Sequence, residues 1–178
     1  MLKNLTRRGL AVVSVCLAIA AMTVIPASAT PVHGHRTDQR VLLTGTWSDP
    51  GAAITSITPD GANYLVGLAG STTTVGGLVG QSDYTFQVVF DPTTNTSNGP
   101  GHETFTASLA NGRSGHIELD EYLQLNGDGS TLVVGVVVGG DGVFRDATGF
   151  TVFSGTTADP STSSSASGRY WMWLDLGQ

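Results

Sequence analysis

Past residue 29 the sequence has no cysteine and no lysine. The one cysteine, Cys16, lies in the N-terminal apolar run, so disulfide and thiol chemistry are excluded from everything after it. Many small secreted domains depend on disulfides, but a remainder of 149 residues can bury roughly two-thirds of its surface without them. With lysine gone, five arginines face fourteen acidic residues, a formal charge of −9 with histidine neutral. Such an acidic surface repels phosphate backbones and anionic lipids, which excludes nucleic acid and membrane surfaces as partners. Also missing are a sustained 3.6-residue apolar period outside the N-terminus and any repeat of fixed period. No G-x-S-x-G nucleophile, phosphate loop or zinc motif is present. Helical folds, solenoids and propellers are thereby set aside, and no cofactor is expected.

The N-terminus has three parts. Lys3, Arg7 and Arg8 are basic; Gly9–Ile25 is apolar apart from Ser14 and Thr23; Pro26-Ala27-Ser28-Ala29 follows. This pattern predicts a secretory signal peptide over residues 1–29, cleaved after Ala29, and a secreted chain beginning at Thr30. A membrane anchor needs about 20 apolar residues, more than this run supplies. Thr6-Arg7-Arg8-Gly9-Leu10 also resembles a twin-arginine signal, so both the Sec and the twin-arginine routes stay open. Apolar residues continue after Cys16, which argues against a lipoprotein cysteine. Residues 30–39 are polar and aperiodic, with His33 and His35, and are expected to form a flexible leader to a single domain over 40–178.

From Arg40 onward, nine β-like runs alternate with Gly, Pro, Asn and Asp. Asn111-Gly112 and Asn126-Gly127-Asp128-Gly129 are hairpin signals, and Pro59–Asn63 is a turn. Asp91–Gly101 and the serine-rich Asp159–Ser167 are expected to be loops. Alternation assigns faces, since successive strand side chains point opposite ways. In Leu78–Phe90 the set Ser82, Tyr84, Phe86, Val88 and Phe90 faces inward; in Ser114–Leu125 the inward set is Ile117, Leu119, Glu121, Leu123 and Leu125. Leu132–Val138 and Arg169–Leu176 are apolar on both faces, which predicts cover on both sides and a homo-oligomer. The fold class is all-β, an antiparallel barrel or sandwich.

Gly139-Gly140-Asp141-Gly142-Val143-Phe144-Arg145-Asp146-Ala147-Thr148-Gly149 resembles the G-G-x-G-x-F-x-x-A-x-G segment of the allene oxide cyclase-like barrels, which include the dirigent proteins and secreted bacterial proteins of unknown function. Gly168–Leu174 looks like the closing strand of such barrels, and Asn111–Gly115 like a turn of the bacterial members. The similarity covers roughly Leu78–Leu176. It implies a calycin-like barrel of about eight strands with a cavity open at one end and room for one small ligand; such relatives place charged residues near the mouth, which opens a site role for Arg145-Asp146, otherwise read as a local turn pair. The cyclases' catalytic residues have no one-for-one match here, so their activity is not carried over. In plain geometry, the glycines allow a tight turn, after which Phe144 folds inward as a plug.

Glu121 interrupts an apolar face, and Glu103 has the same parity as Phe105, Ala107 and Leu109. A carboxyl so placed is desolvated, its pKa rises, and it suits general acid–base work. The alternative is that both lie at strand ends and reach water. Tyr84, Phe86 and Phe90 are the candidate ligand-binding residues. His102, His116, Glu118 and Asp120 supply ligand types without a recognised metal spacing; no metal is expected. Three functions follow: a secreted barrel binding a small apolar molecule, a cofactor-independent cyclase or isomerase using Glu121 and Glu103, or a structural barrel with a filled interior.

Overall fold

The computed structural model describes residues 39–158 and 164–177. The expected signal peptide, the leader up to residue 38 and the serine-loop residues 159–163 lie outside them. Where the sequence alternates, the chain is extended: β1 Arg40–Asp49, β2 Ala53–Asp60, β3 Asn63–Gly76, β4 Leu78–Asp91, β5 Thr96–Leu109, β6 Ser114–Leu125, β7 Ser130–Gly140, β8 Thr148–Thr157 and β9 Ala166–Asp175. Pairing is antiparallel throughout, each strand from β2 to β9 lying beside the next, with β9 against β1. β1 then meets β3 over Gly45–Ser48 and Thr73–Gly76. The ring therefore closes around eight of the nine described strands and leaves β2 outside it, on the edge of β3. The hairpin signals hold: Gly112 and Gly129 take φ of 82° and 84°, the left-handed region that the turns require.

One expected loop is mostly strand. Asp91 caps a short turn by accepting from the Thr93 amide at 2.8 Å, Asn95 turns the chain at φ 54°, and β5 starts at Thr96. Gly99 and Pro100 masked a strand whose alternation continues, with Ser97 and Gly99 inward and Asn98 and Pro100 outward. The outer faces of β7 and β9 are not covered within the described chain: Val134, Val136, Val138 and Trp173 are exposed.

The interior divides along the barrel axis. At one end Phe105, Ile117, Leu119, Phe153, Tyr170 and Met172 pack into a filled core. The 3-10 turn Gly142–Phe144 folds across that end and buries Val143 and Phe144, so the glycine-rich segment acts as the plug the sequence predicts. Tyr170 on β9 ties the same end together from within. Its hydroxyl accepts from the Leu78 amide at 2.8 Å and donates to the Leu78 carbonyl at 3.1 Å, linking two strands that are not neighbours in the sheet. At the other end Val66, Tyr84, Phe86 and Val88 form a separate cluster, and there the walls do not meet.

Candidate functional site: a carboxyl-lined cavity

Between the walls of the unplugged end is a cavity of about 380 Å³. Its sides are apolar, with Val66 and Leu68 from β3, Tyr84, Phe86, Val88 and Phe90 from β4, and Leu123 and Val133 opposite. Ile54, Ile57 and Tyr64, all largely exposed, stand at its rim. The acidic lining is Asp49, Glu103 and Glu121, and Thr72, Ser97, Thr131, Thr157 and Ser164 add hydroxyls.

Strand register brings those groups together. Tyr84 on β4 lies directly opposite Glu103 on β5. Glu121 on β6 pairs with Gly101, two residues before Glu103, so the two carboxyls are diagonal neighbours on adjoining strands, within reach for side chains of that length. Glu121 also pairs with Gly135 on β7. A Cβ at Gly135 would stand 2.7 Å from the Glu121 Cγ, and one at Gly101 would stand 2.1 Å from the Phe86 ring. These two glycines leave room for Glu121 and Phe86 to lie along the wall.

Both glutamates are buried, Glu103 at 4% exposure and Glu121 at 6%. The expectation that a strand-end position would let them reach water is thus corrected. Glu103 sits inside because β5 starts six residues earlier than the sequence suggested, which moves it to mid-strand. Glu121 stays inward because the register shift near it falls on β7, where Val138 is the extra residue, and the alternation of β6 is intact. Glu103 accepts from the Ser82 hydroxyl at 2.5 Å. Neither oxygen of Glu121 has a partner of good hydrogen-bond geometry, although the Glu103 carboxyl and the Thr151 hydroxyl are near enough to bias its proton.

Burial sets the proton affinities. It pushes Glu103 up to about 7, against the pull of the Ser82 hydrogen bond. It pushes Glu121 well above the usual carboxyl range, and the neighbouring Glu103 charge adds to the effect. The Tyr84 hydroxyl donates to Asp49 Oδ2 at 2.5 Å; burial, then Asp49 and Glu103, raise the phenol far above its ordinary value. The arrangement sets two carboxyls of raised proton affinity side by side, the kind of pairing in which carboxyls divide acid and base roles.

All five residues singled out from the sequence, Glu121, Glu103, Tyr84, Phe86 and Phe90, line this one cavity. Arg145 and Asp146 do not; they flank the plug at the filled end, away from the mouth where the family resemblance would give them a site role. His102 pairs with Asp120 at 3.0 Å and His116 with Asp141 at 3.0 Å on the outer wall. Among the described residues no group of three or more His, Cys, Asp or Glu could hold a metal. Sequence reasoning missed Asp49, Thr72 and the glycine niche. Gly135 carried a signal, being a glycine at inward parity in an otherwise bulky strand.

No family model matches the chain, and no curated protein matches it. Its backbone does match solved structures. The pterocarpan synthase dirigent protein PsPTS1 superimposes with a TM-score of 0.54 at 14% identity, over 78% of this chain and 96% of that one. The fold is that of the dirigent barrels. A second, the pterocarpan synthase dirigent protein GePTS1, gives 0.52 at 16% identity, over 84% of this chain and 98% of its own. This dirigent-type barrel carries β2 as an addition to the eight-strand ring.

Proposed function

We propose that the protein is an exported barrel that holds one small, largely apolar molecule in the cavity between β3–β4 and β6–β7. The observation that carries this reading is the cavity of about 380 Å³, plugged at one end and apolar along its sides. That volume lies within the range of small-molecule sites, and a barrel of eight strands has room for one such ligand. Calorimetric titration of the mature chain, recovered from the medium and beginning at Thr30, with neutral naphthylmethanol should show saturable binding at one site. Filling the cavity with Leu123→Trp should weaken it. Non-saturable uptake, or an unchanged affinity in that variant, would refute the reading.

A second reading is favoured by the carboxyl pair. Glu121 would protonate a substrate oxygen and Glu103 would receive a proton, assisting a cyclisation or isomerisation without a cofactor. The two similar barrels are described as pterocarpan synthases, which supports a barrel of this shape serving synthesis. A compound that co-purifies and is converted by the wild type but not by Glu121→Gln would favour catalysis; recovery of the compound unchanged would leave binding alone.

The outer wall supports self-association. Leu42, Trp173, Phe150 and Val136 are paired in register across β1, β9, β8 and β7 and are all exposed. Phe150 and Trp173 stack with centroids 4.5 Å apart. A continuous apolar row of this kind marks an interface more often than bare surface. Sedimentation at micromolar concentration should give a homo-oligomer, and Phe150→Glu should dissociate it. A wild-type monomer would refute the proposal.

A further inference from the structure

The cavity's charge has one sign. Asp49, Glu103 and Glu121 line it, and among the described residues no arginine, lysine or histidine does. All four described arginines, Arg40, Arg113, Arg145 and Arg169, are exposed. Buried carboxyls ordinarily come with a cationic partner, because an unpaired buried charge is costly. Asp49 and Glu103 each take one hydroxyl donor, from Tyr84 and Ser82. Glu121 takes no donor of good geometry, its nearest polar neighbours being the Glu103 carboxyl and the Thr151 hydroxyl, and it lies in a niche that Gly135 keeps open for it.

The aromatic groups complete a recognisable constellation. The Phe86 ring overlies Gly101, the residue paired with Glu121, and the Tyr84 ring is 5.5 Å from it at an interplanar angle of 57°. Two inclined ring faces beside a carboxyl without a well-aligned donor suit a positive head group, which gains from the ring quadrupoles and from the carboxylate together. The apolar walls beyond suit a hydrocarbon body. A purely apolar ligand makes no use of the carboxyls, and an anionic one is repelled by them.

Resting on the reading of the cavity as a binding site, we propose that its ligand is a small arylalkyl or aliphatic amine, bound as the ammonium ion against Glu121 and Glu103 with its apolar body toward Phe90 and Leu123. In the empty protein, burial and the neighbouring Glu103 charge favour the protonated form of the Glu121 carboxyl. The ammonium takes that proton's place: R–NH3+ meets the carboxylate, and one H+ leaves to the buffer. The titratable groups facing the head are Asp49 from β1, Tyr84 from β4, Glu103 from β5 and Glu121 from β6, with Tyr64 of β3 out at the rim beside Phe90; β7 and β8 present Thr131 and Thr151. An alkyl ammonium keeps its charge up to about pH 10, like lysine, so affinity should rise with pH as the carboxyls ionise.

The test compares naphthylmethylamine, naphthylmethanol and naphthoate by calorimetry on the mature chain. Near pH 8 the amine should bind about tenfold or more tightly than the alcohol, the equivalent of one charge-assisted contact, and naphthoate most weakly. Near pH 5.5 the amine's advantage should fall to about threefold or less. Repeating the titration in buffers of different ionisation enthalpy should show proton release with the amine and none with the alcohol. Glu121→Gln should remove the amine's advantage over the alcohol. Glu118→Gln, which deletes the same charge from the exposed outer face of β6, should keep it. If none of the compounds binds, the cavity reading itself falls. If the alcohol binds as tightly as the amine near pH 8, if the amine releases no proton, or if Glu118→Gln acts as Glu121→Gln does, the cation inference falls and the cavity reading stands. Should Glu121→Gln not fold, Glu103→Gln and the proton release of the wild type decide.

Discussion

Replacing Phe144 by alanine should lower the unfolding free energy by about 3–5 kcal/mol, the usual cost of emptying a fully buried phenylalanine site. Phe144 has no exposed surface and sits in the filled core with Ile117, Leu119 and Tyr170. For a chain of this length that loss corresponds to a fall of about 10 °C or more in Tm. The glycines around it cannot move in to fill the space. Gly140 and Gly142 already lie so close to neighbouring backbone that a Cβ on either would stand 2.6 Å or less from a carbonyl oxygen. Thermal unfolding followed by circular dichroism checks the prediction, and an unchanged Tm would show that the 3-10 turn does not plug the barrel. Because the plug and the cavity are at opposite ends, the affinity for naphthylmethanol should survive in the folded variant.

Stability should fall as pH rises from about 4.5 to 8, the reverse of ordinary acid denaturation. Glu103 and Glu121 bind protons more tightly folded than unfolded. Their contribution is therefore complete below the unfolded value of 4.5 and is lost as pH climbs through the folded one. For Glu103 a rise from 4.5 to about 7 amounts to about 3 kcal/mol, and Glu121, raised in the same direction, adds to the loss. Asp91, Asp128 and Asp141 act in the opposite sense. Hydrogen bonds from neighbouring residues, chiefly backbone amides or the Ser130 hydroxyl, hold them below 3.8, so their contribution disappears only as pH drops beneath that. The folded state should be most stable near pH 4–5. Urea midpoints across this range should show a downward slope in the wild type that is flattened in Glu103→Gln/Glu121→Gln. Parallel curves for the two proteins would mean that the carboxyls are not buried as described.

Alternation carried most of what could be read from the sequence. Leu78–Phe90 and Ser114–Leu125 obey it so cleanly that Tyr84, Phe86 and Glu121 could be placed inside a barrel before any coordinates. The reading failed where backbone chemistry obscures alternation. Gly99, Pro100 and Gly101 look like loop residues, yet they continue β5 and set Glu103 well within it. Asp49 was invisible for a different reason. Its role depends on Tyr84 reaching it from β4, thirty-five positions away, and no local pattern records a contact between strands brought together by ring closure. The niche around Glu121 is likewise a cross-strand property, since Gly101 and Gly135 become meaningful only once the register is known.

Closing a sheet into a ring abolishes its edges, but this ring carries one strand that was not taken in. β2 pairs with β3 on one side, and among the described residues no strand pairs with its other side. It is exposed along its whole length, it reads Ala-Ile-Thr-Ser-Ile-Thr-Pro-Asp, and Asp60 is its sole charge. Short uncharged segments rich in Ile and Thr are the kind that template β-stacking between chains. Pro59 blocks only the last step of such a ladder. What keeps molecules apart is mutual repulsion from the excess of carboxylates elsewhere on the surface, and that repulsion fades as pH falls toward the carboxyl range. The mildly acidic solution in which an individual barrel holds together best is therefore also the one in which a concentrated stock will turn cloudy soonest.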